Sequence, residues 1–199
     1  RCLPARFPFS GNGGEPMARP RDVDPVKLFV AVLWAGEEAL GAALERLRAL
    51  WGGTDFIGAD RPFDLTDYYE PEMGPGLKRR LVSFEPLVPP GRLVRAKHES
   101  SAVEEELAAG KGRRVNLDAG YLDHHKIVLA SFKGAGQKIY LGDGVWADLT
   151  ARYRAGRYHP FEWTFPDFSD GRYDGDLAEI RALYRRQLAA VRRLRPSPP

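Results

Sequence analysis

Val26–Trp34, with the sequence VKLFVAVLW, constrains the fold more than any other stretch. Its apolar run continues from Leu28 to Ala35, and Pro25 and Gly36 bound the segment. Continuous apolar, partly β-branched residues between two breakers predict a buried first strand. The run is far short of the roughly 18 apolar residues that cross a membrane. A buried strand needs a core around it. With 199 residues, 43% hydrophobic and 29% charged, the chain supports one sizeable core rather than two.

Helix and strand signals follow in turn. Leu40, Ala43, Leu44, Leu47 and Trp51 fall on one helical stripe, which Gly52-Gly53 ends. Short strands are predicted over Phe56–Ala59 and Asp64–Tyr69. Arg80–Leu87 is another strand, stopped by Pro89-Pro90-Gly91, and Leu93–Lys97 reads as one more. Ser101 and Glu104 have capping-box spacing, which predicts a second helix from Ser101 to the glycines at 110 and 112. Four strands come next, over 114–122, 126–132, 138–141 and 145–153, with Asp143-Gly144 as a hairpin turn. The stretch 163–173 is aromatic and turn-rich. The last helix is expected from about Asp176, where Glu179 completes a second capping box; Leu177, Ile180, Tyr184, Leu188 and Val191 form its apolar stripe.

Strand runs broken by three helices predict an α+β class, with a mixed, largely antiparallel sheet packed by about three helices. The expected domain is single and covers residues 26–195. Residues 1–25 hold five prolines and no hydrophobic periodicity, which predicts a disordered extension with Met17 as the expected native start. Residues 196–199 read as a disordered tail.

Charge and cysteine content narrow the function. The net charge is +3, yet residues 181–195 alone carry six arginines and no acid, so the remainder is at −3. A broad nucleic-acid-binding face would spread its positive charge more widely. The single cysteine, Cys2, forms no disulfide framework and no thiolate cluster, which fits a cytoplasmic protein.

Four groups of residues carry candidate chemistry. In the 138–153 hairpin, side-chain alternation puts Trp146, Asp148, Thr150 and Arg152 on one face. Either two-residue turn would add Ile139 and Leu141 to that face. Asp148 is then a carboxylate in partly apolar surroundings, open to a ligand or paired with Arg152. Asn116, Asp118 and Gly120 share a second face and can hold a hydroxyl, a metal or a basic side chain; Asp-Ala-Gly is equally a turn sequence. Arg181, Arg185 and Arg192 line one flank of the last helix, where Arg181 and Arg185 can hold an anion or simply complement the helix dipole. Asp123-His124-His125 lacks zinc spacing, so no metal-ligating set is predicted. Gly134-Ala-Gly136-Gln-Lys138 joins two strands and is not a phosphate loop.

Four blocks occur in order: Tyr68-Tyr69-Glu70-Pro-Glu72-Met73-Gly74, Asn116-Leu117-Asp118-Ala-Gly120-Tyr121-Leu122, Gly144-Val-Trp-Ala147-Asp148-Leu149-Thr150 and Trp163-Thr164-Phe165-Pro166-Asp167-Phe168. Together they resemble the bacterial and archaeal family called domain of unknown function 4416, over about Val26 to Leu194. Some members of that family carry the label GTP-binding protein. Ala119 stands where the family usually has proline, Asp148 where it has glutamate, and Phe165 and Phe168 where tyrosines are common. The resemblance implies a shared pocket, with Tyr69, Glu70, Asn116, Asp118, Tyr121, Trp146, Asp148, Thr150, Trp163 and Asp167 as candidates, to which Lys97 is added as a basic residue nearby in sequence.

The expected function is binding of, or catalysis on, a small anionic or phosphorylated ligand, a nucleotide among the candidates. Acids would hold Mg²⁺ and Lys97, Arg114, Lys133 or Arg152 the anion. One alternative is a partner-binding scaffold that docks through 158–173. Another is an RNA-associated protein that uses the Arg-rich helix with Trp146, Tyr153, Tyr158 and Trp163 as stacking surfaces.

Overall fold

The computed structural model describes residues 22–108, 110 and 112–194. The expectations for residues 1–21, including Cys2 and Met17, and for the terminal tail lie outside these residues. The elements in chain order are β1 (Val26–Trp34), α1 (Glu37–Trp51), β2 (Thr54–Ile57), β3 (Arg61–Pro62), α2 (Glu70–Met73), β4 (Lys78–Val88), α3 (Arg92–Glu106), β5 (Val115–Leu122), β6 (Lys126–Ser131), β7 (Ile139–Gly142), β8 (Val145–Arg154), β9 (Arg157–Pro160), α4 (Pro166–Ser169) and α5 (Asp174–Leu194). The nine strands form one sheet in the order β2-β4-β1-β5-β6-β8-β7, with β3 paired to β4 and β9 to β8. Every pair is antiparallel. The class is α+β, as the sequence predicts.

β1 is central, between β4 and β5, and every one of its residues is buried. Its two faces pack against different layers. Leu28, Val30, Val32 and Trp34 join α1 and Val103 of α3 in one core cluster. Phe29 and Ala31 join Leu177, Ile180, Tyr184 and Leu188 of α5 in another, and Leu33 joins Met73 of α2 in a third. A strand covered on both sides has no polar face, which is why Val26–Trp34 is continuously apolar. Lys27 is the exception. Fully buried, it donates to the Phe84 carbonyl at 2.5 Å and to Gln187 Oε1 at 2.9 Å, and it pairs with Asp55. That network ties α5 to the sheet.

Several local expectations change. Leu93–Lys97 is helical: α3 starts at Arg92, directly after Pro89-Pro90-Gly91, and Ser101 and Glu104 are in its interior. Leu93, Ala96, Lys97, Ser100, Val103 and Glu104 are its buried stripe, with the 3.6-residue period that a five-residue window conceals. Asp64–Tyr69 is a connection into α2 rather than a strand, and β9 was not anticipated. α5 begins at Asp174; Asp176 accepts from Arg61 Nη2 at 2.8 Å instead of capping.

Candidate functional site

The sheet splits between β5 and β6. β5 pairs with β1 along its whole length, and β6 with β8. Between β5 and β6, however, only Gly120–Leu122 and Ile127–Leu129 are paired. Gly120 is where they close. A Cβ there would lie 2.7 Å from Leu129 Cδ2 and 2.8 Å from the Val128 carbonyl oxygen, so the approach needs glycine. The room that Gly120 makes is taken by Phe29 and Leu129.

α3 runs under the split. Leu93, near its start, packs with Val128, Ala130 and Val145; Val103 packs with Leu117 and Ala119 of β5. Glu104 accepts a hydrogen bond from the Leu117 N–H, replacing the strand partner that β5 has lost. Burial raises the Glu104 pKa. Lys97 and the Leu117 N–H pull it back, and Asp118 raises it further. Lys97 is two helical turns earlier on the same stripe and is only 8% exposed. Its Nζ is 5.3 Å from the Phe132 ring centroid. Among the described residues no side chain or carbonyl accepts a hydrogen bond from this ammonium, which still reaches solvent.

On the other face of the sheet, Arg79 of β4 is buried and bridges two motif blocks. It donates to Asp167 Oδ2 at 2.7 Å and pairs with Asp118. Burial opposes the guanidinium charge, but Asp118 and Asp167 outweigh it and raise the Arg79 pKa. The Tyr173 hydroxyl donates to Asp167 at 3.3 Å; burial and then Asp167 push its pKa up. Burial and the Asp118 charge push Tyr69 up to about 12. Asn116 accepts from Arg113 Nη1 at 2.7 Å, and Arg113 also grips Glu72 through two nitrogens. The Asn116 Nδ2 is buried without an acceptor among the described residues.

A third group lies on β8. Asp148 pairs with Lys138 at 3.2 Å, not with Arg152, and Lys138 also donates to Ser131 Oγ at 3.1 Å. The hairpin register differs from expectation. Ile139 is opposite Ala147 and Tyr140 opposite Trp146, because Leu141 is an extra residue between Tyr140 and Gly142. That bulge puts Tyr140, rather than Ile139 and Leu141, on the Asp148 face. Its ring meets Trp146 at 5.1 Å. Thr150 Oγ1 donates to the Asp148 carbonyl, Trp163 Nε1 to that of Leu149 at 2.9 Å and Thr164 to that of Thr150.

The motif blocks therefore meet, but not around one ring of free acids. Tyr69, Asp118 and Asp167 gather around Arg79, and Asn116 is held by Arg113 on the same face. Trp146, Asp148, Thr150 and Trp163 gather along β8. Lys133, in the loop after β6, donates to the Tyr68 hydroxyl at 3.2 Å and links the two sides. Glu70 is exposed on α2, and Tyr121 packs toward α3 beside Val128. Arg181 stacks on Tyr153, 3.6 Å from the centroid, and donates to the His124 carbonyl; Arg185 is exposed. Among the described residues, no group of three or more His, Cys, Asp or Glu could hold a metal ion together. Sequence reasoning missed Arg79, Glu104 and Lys138 as partners. The seven-residue spacing of Lys97 and Glu104 was the available signal once α3 is read from Arg92.

A family model described as Domain of unknown function (DUF4416) matches residues 24–184. No curated protein and no solved structure matches the chain.

Proposed function

Taking as premise that the chain belongs to the family described as Domain of unknown function (DUF4416), we propose that it binds a small anionic ligand, phosphate- or carboxylate-bearing, where β5 and β6 part. The observation that carries this reading is Lys97, 8% exposed, whose ammonium still reaches solvent and has no hydrogen-bond acceptor among the described residues. A partly desolvated ammonium is stabilised further by an acceptor that reaches it from the solvent side. An anion does so, and Lys133 and the Tyr68 hydroxyl add polar groups between the two sides. A nucleotide is one phosphorylated candidate. Asp118 and Asp148 already hold Arg79 and Lys138, so the reading routes no step through Mg²⁺. Glu104, which burial favours in the neutral form, is the group suited to exchanging a proton with a bound ligand. A cytoplasmic setting belongs to the same reading and rests on the cysteine content, which is Cys2 alone.

A thermal-shift screen at low ionic strength tests it, with inorganic phosphate, small carboxylates, sugar phosphates and nucleotides, each with and without Mg²⁺. At least one class should raise the wild-type Tm, by up to about 2.7 kcal/mol of stabilisation at a hundredfold excess over Kd. Lys97→Met should not respond. A wild type that responds to none of them, or a variant that responds equally, contradicts the reading.

A further inference from the structure

Past the β5–β6 split the sheet gathers positive charge on one face. Arg152 of β8 is directly opposite Lys126 of β6 and His159 of β9, and Arg154 is directly opposite Arg157. Paired residues of antiparallel strands share a face, as do residues two apart on one strand, so these side chains project to the same side. The other side of the β8–β9 hairpin packs on α5 through Ala151, Tyr153 and Tyr158. α3 covers the charged side only as far as Val128 and Leu149. Arg152, Arg154 and Arg157 are exposed. Asp123 neutralises Lys126. Among the described residues neither Arg152 nor Arg154 has an ion-pair partner, and Arg157 meets Asp174 only at 3.9 Å.

Stability does not account for this arrangement. Like charges directly opposite each other destabilise a sheet. Yet Ala155 and Gly156, at φ of 48° and 89°, form a two-residue turn that holds Arg154 against Arg157. A charge that guards an edge against strand addition explains Arg157 on β9, but β8 is an interior strand. An aromatic platform stands beside the charges. The rings of Phe161 and Trp163 stack face to face, 4.9 Å apart and 1° from parallel. Both are fixed to β8. The Phe161 N–H donates to the Thr150 carbonyl at 3.3 Å and Trp163 Nε1 to that of Leu149 at 2.9 Å. Trp163 is 38% exposed. Tyr153 and Tyr158, which the sequence offers as stacking surfaces, are turned toward α5 and do not contribute.

We propose that this face of β8 and β9 binds a single-stranded nucleic acid, with phosphates along Arg152, Arg154 and Arg157 and a base on the Phe161–Trp163 platform. A chain of phosphates relieves cations that repel one another, and an exposed ring offers its outer face to an unpaired base. An acidic peptide uses the charge but leaves the platform idle. A duplex keeps its bases in its own stack and does not reach the rings. The surface is distinct from the Lys97 region. His98, next to Lys97, bonds the Asp143 carbonyl at the β7–β8 turn, whereas Arg154 is the last residue of β8.

Fluorescence anisotropy with labelled oligo(U) and oligo(dT) of about twelve nucleotides, within the span of single-strand sites, tests the proposal. Both should bind. With about three phosphates neutralised, at a log–log slope of about −0.7 each, affinity should fall on the order of twentyfold between about 50 and 200 mM salt. The double variant Arg152→Gln/Arg154→Gln should lose roughly two-thirds of that slope. It should melt no lower than wild type, because like charges have been removed. Phe161→Leu should keep the slope but bind both oligonucleotides about tenfold more weakly. Phe161→Tyr, which keeps a ring, should restore the affinity. No oligonucleotide binding even at the lowest salt overturns the proposal. So does an unchanged slope in the double arginine variant, undiminished binding by Phe161→Leu, or a duplex of the same length that binds as tightly as the single strands.

Discussion

At the residue scale, Glu104 and Arg79 show two ways of burying charge. Arg79 is compensated twice over, by Asp118 and Asp167, and anchors the side of the site away from α3. Glu104 has only the Lys97 charge and one backbone donor, and burial outweighs both and raises its pKa. The fold therefore binds the Glu104 proton more tightly than the unfolded chain does. The resulting stability is fully present below the ordinary glutamate pKa and is lost as pH rises through the raised value. Glu104→Gln keeps an acceptor for Leu117 but cannot ionise. It should melt a few degrees above wild type at pH 8, with the difference closing toward pH 4. Melting curves across that range check this; a difference independent of pH would mean that ionisation of Glu104 is not what the fold resists.

At the element scale, the split is a trade between strand pairing and helix contact. β5 gives up β6 beyond Gly120, and α3 supplies Glu104 in its place. A strand N–H held by a side chain opens more easily than one held in a ladder. In Glu104→Ala the Leu117 amide should exchange on the order of tenfold faster, the equivalent of about 1.4 kcal/mol. The amides of β1 facing β4 should be unaffected. Residue-resolved hydrogen exchange measures both, and equal acceleration along β1 would indicate global destabilisation instead of a local split. The β7 bulge shows the same sensitivity to local detail. One extra residue, Leu141, exchanges which side chains accompany Asp148, because strand faces alternate with a period of two.

At the scale of the whole molecule, legibility followed periodicity. β1, α1, β4, β5, β6, β8 and the stripe of α5 are long enough for their period to identify them. α3 was half lost, because Leu93–Lys97 alone is as compatible with a strand as with a helix. That loss hid the link between Lys97 and Glu104. Asp118 and Asp167 were recognised as candidates, but their joint partner, Arg79, lies in β4 outside all four motif blocks. Pairing across a sheet depends on strand order, which local patterns do not encode. Lys138 escaped for a simpler reason. The bulge reverses the hairpin faces and brings Lys138 to the Asp148 side, where it replaces Arg152 as partner.

The central claim is that Lys97, mostly buried on α3 and without a hydrogen-bond acceptor among the described residues, is the group that receives an anion. Chemical denaturation of wild type and Lys97→Met at pH 7, in a buffer free of multivalent anions, tests it most directly. The account predicts that the methionine variant, which keeps the aliphatic packing and loses only an ammonium that reaches solvent, stays within about 1 kcal/mol of wild type with an unchanged m-value. If Lys97 instead serves as the structural partner of Glu104, removing it strands a buried carboxylate, and the variant loses about 3 kcal/mol or more.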